Sequence, residues 1–314
     1  MKVRNEVFSW DFIERNSIPG CYSKLYLKES NYSIANLKMD LSAPYPVVCV
    51  AMFPKYLDAG LTNEKDYKVK KITQKGYPSA LVNIASHDFN SYKEYLGKSI
   101  LSSINRRIKK LEKNFNIGYR MYYGKISQTE YDLLMQALIE MKNKRLDELN
   151  MENKVLSDYQ NHKRRAFDLI NQKQASLYVI YSDDKPIGIS FNFHVDKLFF
   201  GTMTTFDMDF SEYGIGNTLL FKQMEWCFEN KIAAVDMGIG SLDYKCRWAN
   251  TVYNYEYHVI YRKKSLKSFI RAQVEIIKIH LKNSVKQLKS GFKKDDNLIS
   301  PKKLNSYSVE NKFI

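Results

Sequence analysis

The sequence predicts a mixed α/β (α+β) fold: a mostly antiparallel central sheet flanked by helices, with a shorter N-terminal region and a C-terminal amphipathic helix. Three observations predict it. Short apolar runs bounded by turn residues recur along the chain, the signature of buried or half-buried strands. Three of these runs follow one another closely between residues 176 and 205, joined by the turns Asp183-Asp184 and Val195-Asp196, which makes an antiparallel meander. Longer segments place apolar residues three and four apart, the period of a helix with one buried face.

Composition sets the bounds. The chain has 314 residues, 44% of them hydrophobic, enough to bury a core in one large domain or two modest ones. Cys21, Cys49, Cys227 and Cys246 are scattered, with no C-x-x-C pair and no His/Cys cluster. Reduced thiols and no metal site are therefore expected. The N-terminus, Met-Lys-Val-Arg-Asn-Glu, lacks an apolar signal core, and no run approaches ~20 uninterrupted apolar residues. A cytoplasmic protein is expected, free or peripheral at the inner face of the membrane. Net charge is +15, but residues 262–314 hold 14 Lys and Arg against 4 Asp and Glu, a balance of +10 that leaves +5 for the first 261. The basic character belongs mainly to the tail and says little about the core.

Within the first ninety residues, Tyr45-Pro-Val-Val-Cys-Val-Ala-Met-Phe53 has strand composition, whereas Asp58–Gly76 is polar and expected to be loop. Asp88–Asn114 is expected to be one helix, with Tyr92, Leu96, Ile100, Ile104, Ile108 and Leu111 on one face and Arg106, Arg107, Lys109, Lys110 and Lys113 on the other. Gly118–Gly124 reads as a strand. Ser127–Asn150 and Leu156–Gln172 read as helices, the first with Ser127 or Thr129 as N-cap. The meander strands are Ser176–Tyr181, Ile187–His194 and Lys197–Thr205. A turn over Phe210–Gly216, a helix Asn217–Glu229, a strand Ile232–Met237, a short helical segment Asp243–Trp248 and an aromatic-rich strand Tyr253–Tyr261 complete the series. The order is β-α-α-β-β-β-α-β-α-β.

Two runs carry chemistry. Tyr213-Gly214-Ile215-Gly216-Asn217-Thr218 opens a helix. Its glycines let the backbone turn tightly, and a helix start offers unpaired N–H groups and a positive dipole end, so a pyrophosphate would sit there without any charged side chain. A plain strand-to-helix turn explains the same residues. The second run, Val235-Asp-Met-Gly-Ile-Gly-Ser-Leu-Asp-Tyr-Lys-Cys-Arg-Trp248, ends a strand in groups that move protons.

The meander feeding a glycine turn, a helix and another strand resembles the core of the GNAT N-acyltransferases. The family's pyrophosphate turn, Arg/Gln-x-x-Gly-x-Gly/Ala, falls here on Ser211-Glu-Tyr-Gly214-Ile-Gly216, with Ser211 where the family has Arg or Gln. Asp236, Gly238, Gly240, Tyr244, Lys245 and Trp248, together with the basic helix Arg106–Lys113, resemble the CelD-like group of GNAT proteins and, more loosely, the Fem-type aminoacyltransferases. The resemblance covers residues 90–262. It implies acyl-CoA, acetyl-CoA in the simplest case, as a co-substrate rather than a tightly bound cofactor. Tyr213, Gly214, Ile215, Gly216, Asn217 and Thr218 would hold it. It further implies an amine or hydroxyl acceptor, a small molecule or glycan, in cell-envelope or polysaccharide biosynthesis.

Direct attack on a thioester needs a base, an oxyanion donor and an acid for the leaving thiolate. Asp236 is the candidate base or amine anchor, Tyr244 the candidate acid, and Lys245 the candidate for an acceptor carboxylate, a phosphate or the oxyanion. Each has a plain alternative: a carboxylate capping local N–H groups, a packing tyrosine, a solvated lysine. Arg106 and Arg107 are candidate substrate contacts, or part of a solvated face, or a tRNA contact. His194, at a strand end, faces a substrate or is a satisfied core histidine. Cys246 has no His/Asp relay that would make it a nucleophile.

The expected division is an N-terminal partial α/β region over 1–90, a GNAT-like core over 91–262, a basic amphipathic helix over 263–290 and a disordered tail over 291–314. In that helix Leu266, Ile270, Val274, Ile277, Leu281, Val285 and Leu288 share a face, expected to dock on the protein or to lie on an anionic membrane. Two alternatives stay open for function. One is a Fem-like transferase using aminoacyl-tRNA. The other is a non-catalytic GNAT-fold protein, regulatory or of the antimicrobial-peptide-resistance Mig-14 group.

Overall fold

Val47-Val-Cys-Val-Ala-Met-Phe-Pro54 is rich in β-branched side chains that pack well on a pleated surface, and it forms the buried strand this composition favours. The computed structural model describes residues 2–40, 45–85, 87–148, 165–240, 242–291 and 305–306. The chain folds as two units, Met1–Ser86 with Asp236–Ile314, and His87–Val235.

The first unit begins with β1 (Val3–Val7), α1 (Phe8–Arg15), β2 (Ser17–Ile18), β3 (Tyr22–Leu27), β4 (Tyr32–Ser33), β5 (Lys38–Met39), β6 (Val47–Pro54), β7 (Leu57–Leu61) and β8 (Tyr67–Asn83). The stretch expected to be loop, Asp58–Gly76, is instead most of β7 and half of β8. Its lysines hid the pattern. Lys71 and Lys75 are solvent-facing and alternate with the buried Ile72 and Gln74, while Lys68 and Lys70 are exposed on the same side of the strand as Ile72.

The second unit follows with α2 (Phe89–Leu96), α3 (Lys98–Asn114), β9 (Ile117–Tyr122), α4 (Gln128–Glu148), α5 (165–171), β10 (Ala175–Ser182), β11 (Lys185–Val195), β12 (Leu198–Phe206), a 3-10 turn (Met208–Tyr213) and α6 (Ile215–Glu229). The single helix expected over Asp88–Asn114 is broken at Gly97, whose φ of +82° ends α2. Ser127 is the N-cap of α4, its Oγ accepting from the Glu130 amide at 3.2 Å. Asn150 and the first part of the helix expected over Leu156–Gln172 lie outside the described residues. Strands β10, β11 and β12 form the expected antiparallel meander, in registers such as Val179↔Ile189 and Phe193↔Phe200, and β9 joins it by pairing antiparallel with β10, as at Ile180↔Tyr119. Both hairpin turns place an aspartate in the left-handed region, Asp183 at φ +51° and Asp196 at φ +52°, which the short polar side chain tolerates. Helix α6 packs closely on this sheet. A Cβ on Gly188 would stand 2.6 Å from Ile215 Cγ2.

The chain passes from the second unit to the first within β13 (Ala234–Ile239), then continues through α7 (Leu242–Lys245), β14 (Thr251–Arg262) and α8 (Leu266–Gly291). In the first unit β1 pairs parallel with β6, β6 antiparallel with β14, and β14 antiparallel with β8. Val47, Cys49, Ile72, Val259 and Tyr261 of this sheet form a core with Ala272 and Ile279 of α8. The mixed α/β class, the mostly antiparallel sheet and the C-terminal helix are thus as the sequence predicts.

The face on which α8 docks is not. The stripe expected to dock points outward, with Leu266 74%, Ile270 55%, Val274 38%, Ile277 58%, Leu281 61%, Val285 52% and Leu288 65% exposed. The docked face carries Ser268, Ala272 and Ile279. Asn283 fixes that choice. Its Nδ2 donates to Thr73 O at 2.8 Å and its Oδ1 accepts from Lys75 N at 3.1 Å, while the small Ala272 lets the helix approach the sheet. Lys286 lies 3.0 Å from the centre of the Tyr77 ring. Among the described residues no helix is long and apolar enough to cross a membrane. Asn305–Ser306 (β15) pairs with Thr251–Val252, and the rest of 292–314 lies outside the described residues.

Candidate functional site

Strand alternation decides which way Asp236 faces. It is the third residue of β13 and only 4% exposed. Tyr253 donates its hydroxyl to Asp236 Oδ2 at 2.6 Å and Tyr56 donates to the same oxygen at 2.9 Å. The Gly238 amide donates to Oδ1 at 2.7 Å. Gly238 itself takes φ +68°, a left-handed backbone that favours glycine. A Cβ there would meet nothing within 4 Å, so glycine serves the backbone conformation rather than a tight contact. The Tyr253 hydroxyl lies 3.1 Å from that of Tyr255, extending the chain of polar groups along one face of β14.

Burial pushes the Asp236 carboxyl above its ordinary 3.8, against the pull of the Tyr253, Gly238 and Tyr56 hydrogen bonds and of the Lys245 charge. Burial also lowers the Lys245 ammonium below its ordinary 10.5, opposed by attraction to Asp236. The Tyr253 and Tyr255 hydroxyls are raised, first by burial and then by the Asp236 charge. Lys245 Nζ donates to Gly238 O at 2.8 Å and Ile239 O at 2.9 Å, so it holds the end of β13 in place. Tyr244, beside it on α7, is 42% exposed, and Cys246 is half-buried. The structure therefore gathers Asp236 and Lys245 with three tyrosines the sequence did not single out. Tyr253 and Tyr255 share a face because they are two apart on a strand, a signal available in the sequence. Tyr56 is separated from Asp236 by 180 residues and nothing local marks it.

In the second unit the glycine turn sits against α3. Gly214, at φ +63°, precedes α6 and offers it no side-chain cap. A Cβ on Gly214 would lie 2.5 Å from Arg107 Nη1 and 2.7 Å from Arg107 Cδ. The absence of a side chain thus lets a guanidinium lie over the turn. Arg107 thus brings a charged side chain to this turn. Lys110 pairs with Glu212 at 2.6 Å and stands 4.8 Å from the Tyr213 ring centre. Tyr213, Ile215 and Thr218 are buried, so toward a ligand they have only backbone to offer, whereas Gly214, Gly216 and Asn217 are half-buried. Arg106, one residue before Arg107, is exposed.

His194, a candidate substrate contact, is instead closed into the core of this unit, 1% exposed. Its Nε2 lies 2.8 Å from Ser176 Oγ, and the rings of Tyr123, Phe199 and Trp226 surround it. Desolvation lowers its pKa to about 3, so it stays neutral. Among the described residues no group of three or more His, Cys, Asp or Glu side chains is arranged to hold a metal ion.

Residues 98–246, from α3 through α7, match the model of the acetyltransferase (GNAT) domain. No curated protein matches the sequence. Solved structures that match it include a conserved protein of unknown function from Bacteroides thetaiotaomicron, 8% identical over 68% of this chain and 69% of that one, TM-score 0.42. The C-terminal domain of a putative lysylphosphatidylglycerol synthetase from Agrobacterium fabrum is 11% identical over 73% and 70%, TM-score 0.41. The L-PGS of Bacillus licheniformis is 11% identical over 74% and 73%, TM-score 0.41. With the meander, the glycine turn before α6 and Asp236 on β13 in the expected order, residues 98–246 match the acetyltransferase (GNAT) domain family.

Proposed function

We propose that the protein moves an acyl group from acyl-CoA to an amine or hydroxyl acceptor, a small molecule or glycan of cell-envelope or polysaccharide biosynthesis of the kind the CelD-like group suggests. The observation that carries the donor assignment is the Arg107 guanidinium lying over Gly214 at the uncapped start of α6. A pyrophosphate there meets helix N–H groups, the positive dipole end and a planar cation suited to two phosphate oxygens. Ser211 leaves the motif's usual cation out, and Arg107 supplies one from α3.

In the proposed reaction the acceptor nitrogen or oxygen attacks the thioester carbonyl. The new acyl bond forms, the C–S bond breaks, the acceptor's proton goes to a base and the thiolate takes a proton from an acid. Asp236 is the proposed base or amine anchor: its raised proton affinity suits a proton acceptor, and Tyr253 and Tyr255 extend from it as a hydroxyl chain. Tyr244, with its exposed ring, is the proposed acid. Lys245 is a positioning residue that holds the Gly238 and Ile239 carbonyls.

Thermal unfolding with acetyl-CoA and longer acyl-CoA esters tests the donor. A raised melting temperature is expected, about 2.7 kcal/mol of added stability at a hundredfold excess over Kd. No shift with any CoA ester, coupled with a high 260/280 nm absorbance ratio after purification, would replace acyl-CoA with an RNA-borne donor or a nucleic-acid-binding role.

A further inference from the structure

Helix α8 docks by its small and polar face and presents its apolar face to solvent. Leu266, Ile270, Val274, Ile277, Leu281, Val285 and Leu288 are each 38% exposed or more. They form a continuous stripe about 33 Å long at 1.5 Å per residue. Along one edge of the stripe run the exposed Lys267, Lys278 and Lys282. The helix has a single acidic residue, Glu275, already paired to Arg271 at 3.1 Å and Lys278 at 3.0 Å. The other edge carries Gln273, His280 and Ser284.

We infer that this face of α8 is a docking surface for an anionic lipid bilayer, the helix lying in the plane of the interface. A large apolar stripe left in water marks an interaction site. A lysine-edged stripe on a helix that does not meet the requirements of a membrane span fits interfacial binding. Charge decides between a bilayer and a second copy of the chain. Two copies joined stripe to stripe would offer the lysine rows no free acidic row, since Glu275 is already paired. Anionic headgroups complement the lysines while the acyl region takes up the leucines and isoleucines. The +10 balance of residues 262–314 adds attraction of the same sign. Asn283 and Ala272 anchor the opposite face, so the stripe is offered without detaching the helix.

The test is flotation of the full chain with vesicles of phosphatidylcholine alone and of phosphatidylcholine with roughly 30 mol% phosphatidylglycerol. Binding to the anionic vesicles, weakened by salt, is expected. The Ile277→Glu, Leu281→Glu double variant should lose that binding at least about tenfold with its melting temperature kept, because both side chains are already exposed. Lys267→Gln and Lys282→Gln should each weaken it roughly fivefold. The proposal is overturned if the wild type fails to float with anionic vesicles. It is also overturned if the double variant floats equally well, which would move the binding to the basic tail. The same holds if the wild type is a dimer that Ile277→Glu makes monomeric while neither binds vesicles. None of these outcomes depends on acyl transfer.

Discussion

Asp236 is held by three donors and yet binds its proton more tightly than a free aspartate, because burial outweighs the hydrogen bonds. Two measurements follow. Asp236→Asn should slow acyl transfer by about 10²–10⁴, the range for loss of a general base, with the fold intact by circular dichroism. The wild-type carboxyl, raised in the fold, contributes stability that is complete below its unfolded value and is lost as pH rises through its folded value. The melting-temperature difference between Asp236→Asn and wild type should therefore move in the variant's favour as pH rises above 3.8. Tyr253→Phe removes the 2.6 Å donor, and denaturant melts should show a loss of about 1–3 kcal/mol. Asp236 and Lys245 were legible because they follow a strand pattern and sit among glycines. Arg107 was legible as a basic residue, but its place over Gly214 depends on how α3 packs, which no local signal gives.

At the scale of elements, apolar runs bounded by turns gave the buried strands of the second unit, and the 3–4 spacing of α3 gave its helix, although Gly97 divides the single helix expected over Asp88–Asn114. Periodicity failed on β8, where exposed lysines at both alternating positions mask the pattern, and on α8. There the apolar stripe is the stronger pattern, but two hydrogen bonds from Asn283 and the small Ala272 select the opposite face. The glycines make element-scale predictions. Gly214→Ala places a non-glycine residue at φ +63° and pushes its Cβ into Arg107, so it should cost about 1–2 kcal/mol by chemical denaturation. It should also weaken acyl-CoA binding. Gly188→Val should overpack β11 against Ile215 and Leu219 of α6, at a cost of about 1–3 kcal/mol in the same experiment.

For the molecule as a whole, the charge is divided by role. A +15 chain invites a nucleic-acid explanation, but most of the excess lies beyond residue 261, and the lysines of α8 edge an apolar stripe rather than a groove. The anion site proposed in the body of the protein is narrower: the Arg107 guanidinium over Gly214 at the start of α6. The family match rests on residues 98–246, and the donor assignment rests on that turn. The most direct test is calorimetric titration of acetyl-CoA into the full chain and into Arg107→Ala. Saturable binding by the wild type, weakened about tenfold or more in the variant as loss of a charge-assisted hydrogen bond predicts, is the expected result. No binding to the wild type, or equal affinity in the two proteins, would contradict it.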